Sequence, residues 1–153
     1  MKFALDTTVF VDAFRDETFA EAMAAFLERA LPTTFLSAVV VQELAAGART
    51  REQARELEAS IVRPFERRGR VFAPSTRAFR ESGRLLAELA GREGWPAIHS
   101  NPSLANDALL AASCREHGLT LVTSDGDFDR FLPSLGRWRH VKPWPRAGRV
   151  PGR

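Results

Sequence analysis

Apolar residues fall along this chain in two alternating patterns. Short, nearly continuous runs alternate with longer stretches in which hydrophobic positions recur every third or fourth residue. The runs "KFALD", "TTFLS", "RVFA" and "LTLVTS" are short, partly β-branched or aromatic, and bounded by polar or turn-forming residues, which predicts strands. Between them lie helical patterns. "TVFVDAF" predicts a short helix directly after the first run, and "ETFAEAMAAFLERAL" carries Phe19, Ala22, Met23, Phe26, Leu27 and Ala30 on one stripe until Pro32 ends it. Ser37 is placed to cap "AVVVQELAAGA", which Gly47 closes. "TREQARELEASIVRPFERRG" predicts an arginine-laced helix that kinks or ends at Pro64. "STRAFRESGRLLAELAGREG" predicts a long helix capped by Ser75, and "WPAIHS" a loop. "NPSLANDALLAASCREHG" then predicts a helix with Asn101 as cap and Pro102 in its first position. "WRHV" predicts a last edge strand.

Strand followed by helix, repeated, with strands apolar throughout, implies an α/β domain: a central parallel β-sheet of four to five strands flanked by helices. The 153 residues suit one domain, expected over residues 1–141, with residues 142–153 as a basic, Pro/Gly-rich C-terminal tail.

Composition narrows the function classes. Hydrophobic content of 44% and charged content of 27% exclude a wholly disordered chain. No apolar run approaches the roughly 20 residues that span a bilayer, so no membrane partner is expected. "MKFALDTTVF" lacks a small-residue cleavage site and is interrupted by Asp6, so no secretory signal is expected either. The single Cys114 precludes an internal disulfide and suits a reducing cytoplasm. The net charge of +3 conceals an asymmetry. Residues 137–153 hold Arg137, Arg139, Lys142, Arg146, Arg149 and Arg153 and no acid, which leaves 16 basic against 19 acidic residues in the rest. Such a tail suits contact with nucleic acid or an acidic partner, the alternative being a solvated tail.

The acids carry the chemistry. In parallel sheets, sites form beyond the carboxyl ends of the strands. Asp6 ends the first predicted strand, while Asp125 and Asp127 follow the fourth in "LTLVTSDGDFDRF". Glu43 lies inside an otherwise apolar helix with Val39, Val40 and Ala46 on its own face, and Asp107 lies among Leu104, Ala108, Leu110 and Ala111. An acid on an apolar face must be paired or bind a cation. The alternatives are a salt bridge to one of the 20 arginines or exposure through a gap in the stripe. Carboxylates about 4 Å apart repel by roughly 4 kcal/mol per pair at an effective dielectric of 20. A converging group therefore persists only if its members protonate, pair with arginine or hold divalent cations. All-carboxylate ligation suits Mg²⁺ or Mn²⁺ rather than Zn²⁺, and His99, His117 and His140 share no ligand spacing. An EF-hand loop is excluded, because Arg130 and Gly136 stand where its Gly and Glu would be, counting from Asp125.

These residues also carry a resemblance. "LDTTVFVDAF" is similar to the opening of PIN-domain nucleases, with Asp6 after an apolar strand and a hydroxyl residue, Thr8, two positions on. "LSAVVVQELAAG" resembles their second motif, with Glu43 as its acid. "NDALLAASCREHGLTLVTSDGDF" resembles the third and fourth, with Asp107 opening the helix and Thr123 and Asp125 forming the Thr-x-Asp step. Length and motif order resemble the VapC-like ribonuclease toxins of type II toxin–antitoxin systems. The resemblance implies a PIN-like fold and a metal-dependent endoribonuclease with Asp6, Glu43, Asp107 and Asp125 around one or two Mg²⁺ or Mn²⁺ ions. It also implies an RNA substrate, a cognate antitoxin and a homodimer. Thr8, Thr123 and Ser124 would position water or phosphate through their hydroxyls. Only Gly126 separates Asp125 from Asp127, closer than in many relatives, which adds Asp127 as a second candidate for the metal shell.

Two other readings stand beside this one. A catalytically silent PIN-like module would bind RNA or protein without cutting. A haloacid-dehalogenase-type phosphatase would also place an Asp after its first strand, but needs a lysine, and Lys2 and Lys142 are poorly placed for it. Phe10, Phe14, Phe26 and Phe79 are expected in the core, and Trp138 and Trp144 are expected to pack the tail onto the body in preference to stacking on bases. Asp129 is expected to face solvent.

Overall fold

In the computed structural model, residues 1–144 are described. The expected α/β architecture is present as a five-stranded, all-parallel sheet. Its strands are β1 (Phe3–Leu5), β2 (Thr34–Ser37), β3 (Val71–Phe72), β4 (Thr120–Val122) and β5 (His140–Val141), in the order β3-β2-β1-β4-β5. β1 is central and its end is deeply buried: Ala4 and Leu5 are wholly buried, and Phe3 pairs with Thr34 on one side and Thr120 on the other. The chain leaves β1 toward β2 on one side and returns to β4 on the other. The crevice beyond the carboxyl ends of β1 and β4 is therefore the topological switch point, where α/β sheets bind ligands.

Nine α-helices accompany the sheet among the described residues: α1 (Thr7–Arg15), α2 (Glu17–Ala30), α3 (Ala38–Gly47), α4 (Arg51–Leu57), α5 (Arg63–Glu66), α6 (Thr76–Glu93), α7 (Trp95–His99), α8 (Leu104–Glu116) and α9 (Leu132–Leu135). Two predicted caps form. The Ser37 hydroxyl accepts from the Val39 N–H at 3.2 Å, and the Ser75 hydroxyl from the Ala78 N–H at 3.0 Å. The arginine-laced helix neither stops nor snaps at Pro64. A wide π turn, Glu58–Val62, joins α4 to α5 and accommodates the ring and missing N–H of proline.

Three local expectations are corrected. "WPAIHS" is not a loop but contains α7, started by Pro96 after Gly94, whose φ of 85° suits glycine. α8 begins at Leu104 rather than at Pro102, and Asn101 is not its cap. The Asn101 amide instead donates to Asp127. Phe14 and Phe79 are exposed, at 64% and 58%, because each lies one position off the buried stripe of its helix, beside Ala13 and Ala78.

The core is continuous across both faces of the sheet and includes Phe10, Phe26, Leu36, Leu85, Leu104, Leu121, Phe128 and Phe131. Trp138 and Trp144 are buried, so neither is a base-stacking surface. Trp144 lies with its ring centroid 5.1 Å from Phe26 and 5.5 Å from Phe19. The expectations for Arg146, Arg149 and Arg153 lie outside the described residues. Among the described residues no helix is long and apolar enough to cross a membrane.

Candidate functional site

The site begins where β1 ends. The Asp6 N–H donates to the Val122 carbonyl at 3.0 Å, which anchors the residue to β4, and its side chain is only 3% exposed. Its Oδ2 accepts from the Thr123 hydroxyl at 2.7 Å and the Thr8 hydroxyl at 2.8 Å. Burial raises the Asp6 pKa, and the Glu43 charge adds to this, while the Thr123 and Thr8 hydroxyls and the Thr7 N–H pull the other way.

The Thr-x-Asp step after β4 is fully engaged. The Thr123 hydroxyl, having donated to Asp6, accepts from the Asp125 N–H at 3.0 Å. The Thr8 hydroxyl likewise donates to Asp6 and accepts from the Ser124 N–H at 3.2 Å. A hydroxyl has one proton to give, so Thr8 and Thr123 aim theirs at Asp6 and hold it. Ser124 is exposed at the mouth, and its hydroxyl donates to Asp12 at 2.9 Å.

Glu43 enters from α3 and is clamped from both sides. Thr7 donates to its Oε2, and the Asn106 amide donates to its Oε1 at 3.2 Å. Asp107 lies in the first turn of α8, 7% exposed, and its Oδ2 is buried with no hydrogen-bond partner. Burial pushes its pKa up to about 8, helped by the charges of Asp6, Asp125, Glu43 and Asp127. Asp125 accepts from the Asp127 N–H at 2.8 Å and opens a 3₁₀ turn, Gly126–Phe131. Asp127 accepts from Asn101 at 2.9 Å and from Arg130 at 3.4 Å.

Asp107, Asp125 and Asp127 each offer an oxygen within 4.8 Å of the other two. Asp6 and Glu43 are near enough to act on Asp107 electrostatically. Of the predicted acids, Asp107, Asp125 and Asp127 thus come within ligand distance of one another, while Asp6 and Glu43 lie outside that group and reach Asp107 through their charge. Asp129 is exposed and bonds His140 at 2.9 Å. Among the described residues no arginine or lysine ion-pairs with Asp6, Glu43, Asp107 or Asp125, so the salt-bridge alternative does not hold. Carboxylate oxygens alone, one of them buried and unpartnered, fit a hard divalent cation of the Mg²⁺ or Mn²⁺ type.

The site also contains Thr7, Asn101, Asn106 and Asp12, which the motif reading passed over. Thr7 and Asn106 stand immediately next to Asp6 and Asp107, so adjacency to a predicted acid was the available clue. Asn101 and Asp12 left no such mark.

A family model described as the PIN domain matches residues 3–131. No curated protein matches the sequence. Among solved structures, the chain is similar to FitAcB from Neisseria gonorrhoeae, with 24% identity, a TM-score of 0.62, and 93% of this chain and 98% of that chain covered. It is similar to DNA-bound VapBC from Salmonella typhimurium, with 25% identity, a TM-score of 0.59 and coverage of 93% and 98%. It is also similar to VapBC2 from Rickettsia felis bound to a DNA fragment from their promoter, with 21% identity, a TM-score of 0.65 and coverage of 95% and 100%.

Proposed function

The chain belongs to the PIN domain family, and from that membership we propose that it is a metal-dependent endoribonuclease that hydrolyses RNA phosphodiester bonds as the toxin of a toxin–antitoxin pair. One observation carries the reading. A buried aspartate, Asp107, keeps an unpartnered oxygen near four other carboxylates, and among the described residues no arginine pairs with it. Such a group is costly unless a cation binds there.

In this reading Asp6, Glu43, Asp107 and Asp125 are the catalytic acids and hold Mg²⁺ or Mn²⁺, with Asp127 completing the ligand set. When bound, the metal supplies an activated water and a counter-charge for the leaving oxygen. The chain's own work is positional. Thr8 and Thr123 fix the Asp6 carboxylate by donating to one of its oxygens. Thr7 and Asn106 fix the direction of Glu43 through a hydroxyl and an amide donor, which carry no charge. Thr8 and Thr123 bear on the substrate through Asp6. Ser124 presents the exposed hydroxyl; while it donates to Asp12 it can accept from water or a ribose hydroxyl but cannot donate to a phosphate.

A protein partner is supported by a groove of ≈ 670 Å³ lined by Phe14, Leu44, Leu57 and Ile61, with Phe14 exposed on its wall. The similar VapBC structures carry the names of complexes. We assign this groove to the apolar segment of a cognate antitoxin, with a homodimer and a cytoplasmic location as parts of the same proposal.

The test uses protein freed of any partner and a mixture of structured RNAs in Mg²⁺, in Mn²⁺ and in excess chelator, with Asp107→Asn prepared identically. The expected result is cleavage that requires metal and disappears in the variant. Equal cleavage by both proteins would mean contamination. Retained Mn²⁺ binding without any cleavage would favour a silent binding module.

A further inference from the structure

The segment after α6 carries an aromatic pair that the nuclease reading does not use. Trp95 is 60% exposed and His99, one turn on in α7, is exposed too, with ring centroids 6.1 Å apart and edge to face. Ile98, between them in sequence, packs against the core, so α7 is anchored on one side and turns both rings outward. Pro96, with its fixed φ, follows Trp95 in the first turn of α7.

Both ends of this segment are tied to the turn that bears the acids. The Arg130 Nε donates to Glu93 at 3.0 Å, and the Asn101 amide donates to Asp127 at 2.9 Å. Arg92 adds a bond to the Arg130 carbonyl at 2.7 Å. Trp95 is two residues past Glu93, and His99 two before Asn101, so chain geometry keeps both rings within roughly 20 Å of Asp127. That is a span of only a few nucleotides of an extended strand. An isolated exposed hydrophobic needs no explanation, but a rigidly held aromatic pair fastened to an acidic pocket does.

We propose that Trp95, braced by His99, is a stacking platform for a base of single-stranded RNA adjoining the acid cluster. The proposal rests on the nuclease reading and adds to it the residue that would hold an unpaired base beside the cut site. Stacking accepts any base, because every base has a π-face. A duplex keeps its bases stacked on each other and offers none to Trp95. The platform therefore favours unpaired segments near the cut site without dictating their sequence.

The chain has three tryptophans, and among them Trp138 and Trp144 are buried, so changes in emission on ligand binding report mainly on Trp95. The full chain carrying Asp107→Asn would be titrated in Mn²⁺ with oligoadenylate, oligouridylate and a preformed RNA duplex. Saturable quenching by both single strands, weaker with duplex and largely lost on adding Trp95→Phe, is expected. In the cleavage-competent chain, Trp95→Ala should raise KM for a single-stranded substrate about tenfold, within the range a stacked base contributes. The value of kcat should change little, and Trp95→Phe should restore most of the loss. Emission unmoved by an RNA that the active chain cleaves, or an unchanged KM in Trp95→Ala, would overturn the platform. Quenching that persists although the wild type cleaves no RNA would uphold the platform and reject the nuclease reading instead.

Discussion

In protein stripped of divalent cations, Asp107→Asn should make the fold more stable at neutral pH, although it removes an acid the site is built around. The folded-state pKa of Asp107 is about 8, above its ordinary 3.8, because the group is buried and faces Asp6, Asp125, Glu43 and Asp127. Between those two values the folded chain holds a proton that the unfolded chain has released. The stability associated with this group is therefore complete below about pH 4, declines as pH rises through the window, and levels off above about pH 8. At 1.36 kcal/mol per unit, the window amounts to about 6 kcal/mol, of which about 4 is lost by pH 7. Relaxation and water entry reduce this, so a gain of about 2–4 kcal/mol is expected for the Asn variant at pH 7. At this chain length that corresponds to a Tm higher by roughly 5–12 °C. Thermal unfolding followed by circular dichroism in chelator, at pH 5 and pH 8, measures it. The gap between variant and wild type should be small at pH 5 and wide at pH 8. Adding Mn²⁺ should then raise the wild-type Tm and leave the variant nearly unmoved. Asp6, whose pKa is also raised by burial, is one of the charges acting on Asp107, so the Asn variant relieves it too and the gap between the curves reports the cluster. Curves that stay parallel from pH 5 to pH 8, or a variant less stable than wild type at pH 8, would refute the charge argument.

Thr123→Val keeps the shape of the side chain but removes the donor to Asp6 and the acceptor of the Asp125 N–H. A loss of about 2 kcal/mol in denaturant unfolding and at least a tenfold fall in metal-dependent cleavage are expected. Asn106→Ala frees one oxygen of the half-buried Glu43, so cleavage should fall about tenfold while Tm moves by only a few degrees. Phe14→Asp places a charge on the apolar groove. It should weaken capture of a co-expressed antitoxin at least tenfold while leaving RNA cleavage by the free protein unchanged. Trp144→Ala opens a cavity against Phe19 and Phe26 and should cost about 3–5 kcal/mol in chemical denaturation.

The fold was legible because the strands are apolar without alternation and the helices carry stripes, and two of the caps, Ser37 and Ser75, act where their spacing put them. What misled the reading was local preference overridden by tertiary partners. Asn101 has the chemistry of a helix cap, but its Oδ1, the capping atom, accepts from the Ser103 hydroxyl at 2.8 Å while its amide donates to Asp127, distant in sequence. The apolar stripe in α1 includes Phe10 and Ala13, and a difference of one residue, about 100° around the helix, turns Phe14 into solvent. Proline at position 64 was expected to kink or end its helix; the helix runs on to Glu66, and the π turn just before the proline has no mark in composition.

The acids were legible singly, since each stands at a strand end or on an apolar helix face. Their partners were not, because Glu43 meets Thr7 and Asn106 across sequence separations of 36 and 63 residues. Those partners orient Glu43 without bringing a positive charge to the site. A chain with 20 arginines had ample means to neutralise its buried carboxylates. Its described arginine ion pairs lie elsewhere, as in Arg84 with Glu81 and Glu88, or reach only the rim, as in Arg130 with Asp127. Asp6 and Glu43 are oriented by hydroxyl and amide donors, which fix direction without supplying charge. An arginine in the same place would lower the pKa of Asp107 and fill the space a cation needs. Orientation by neutral donors and exclusion of fixed cations together keep the negative potential of the pocket available for a metal ion.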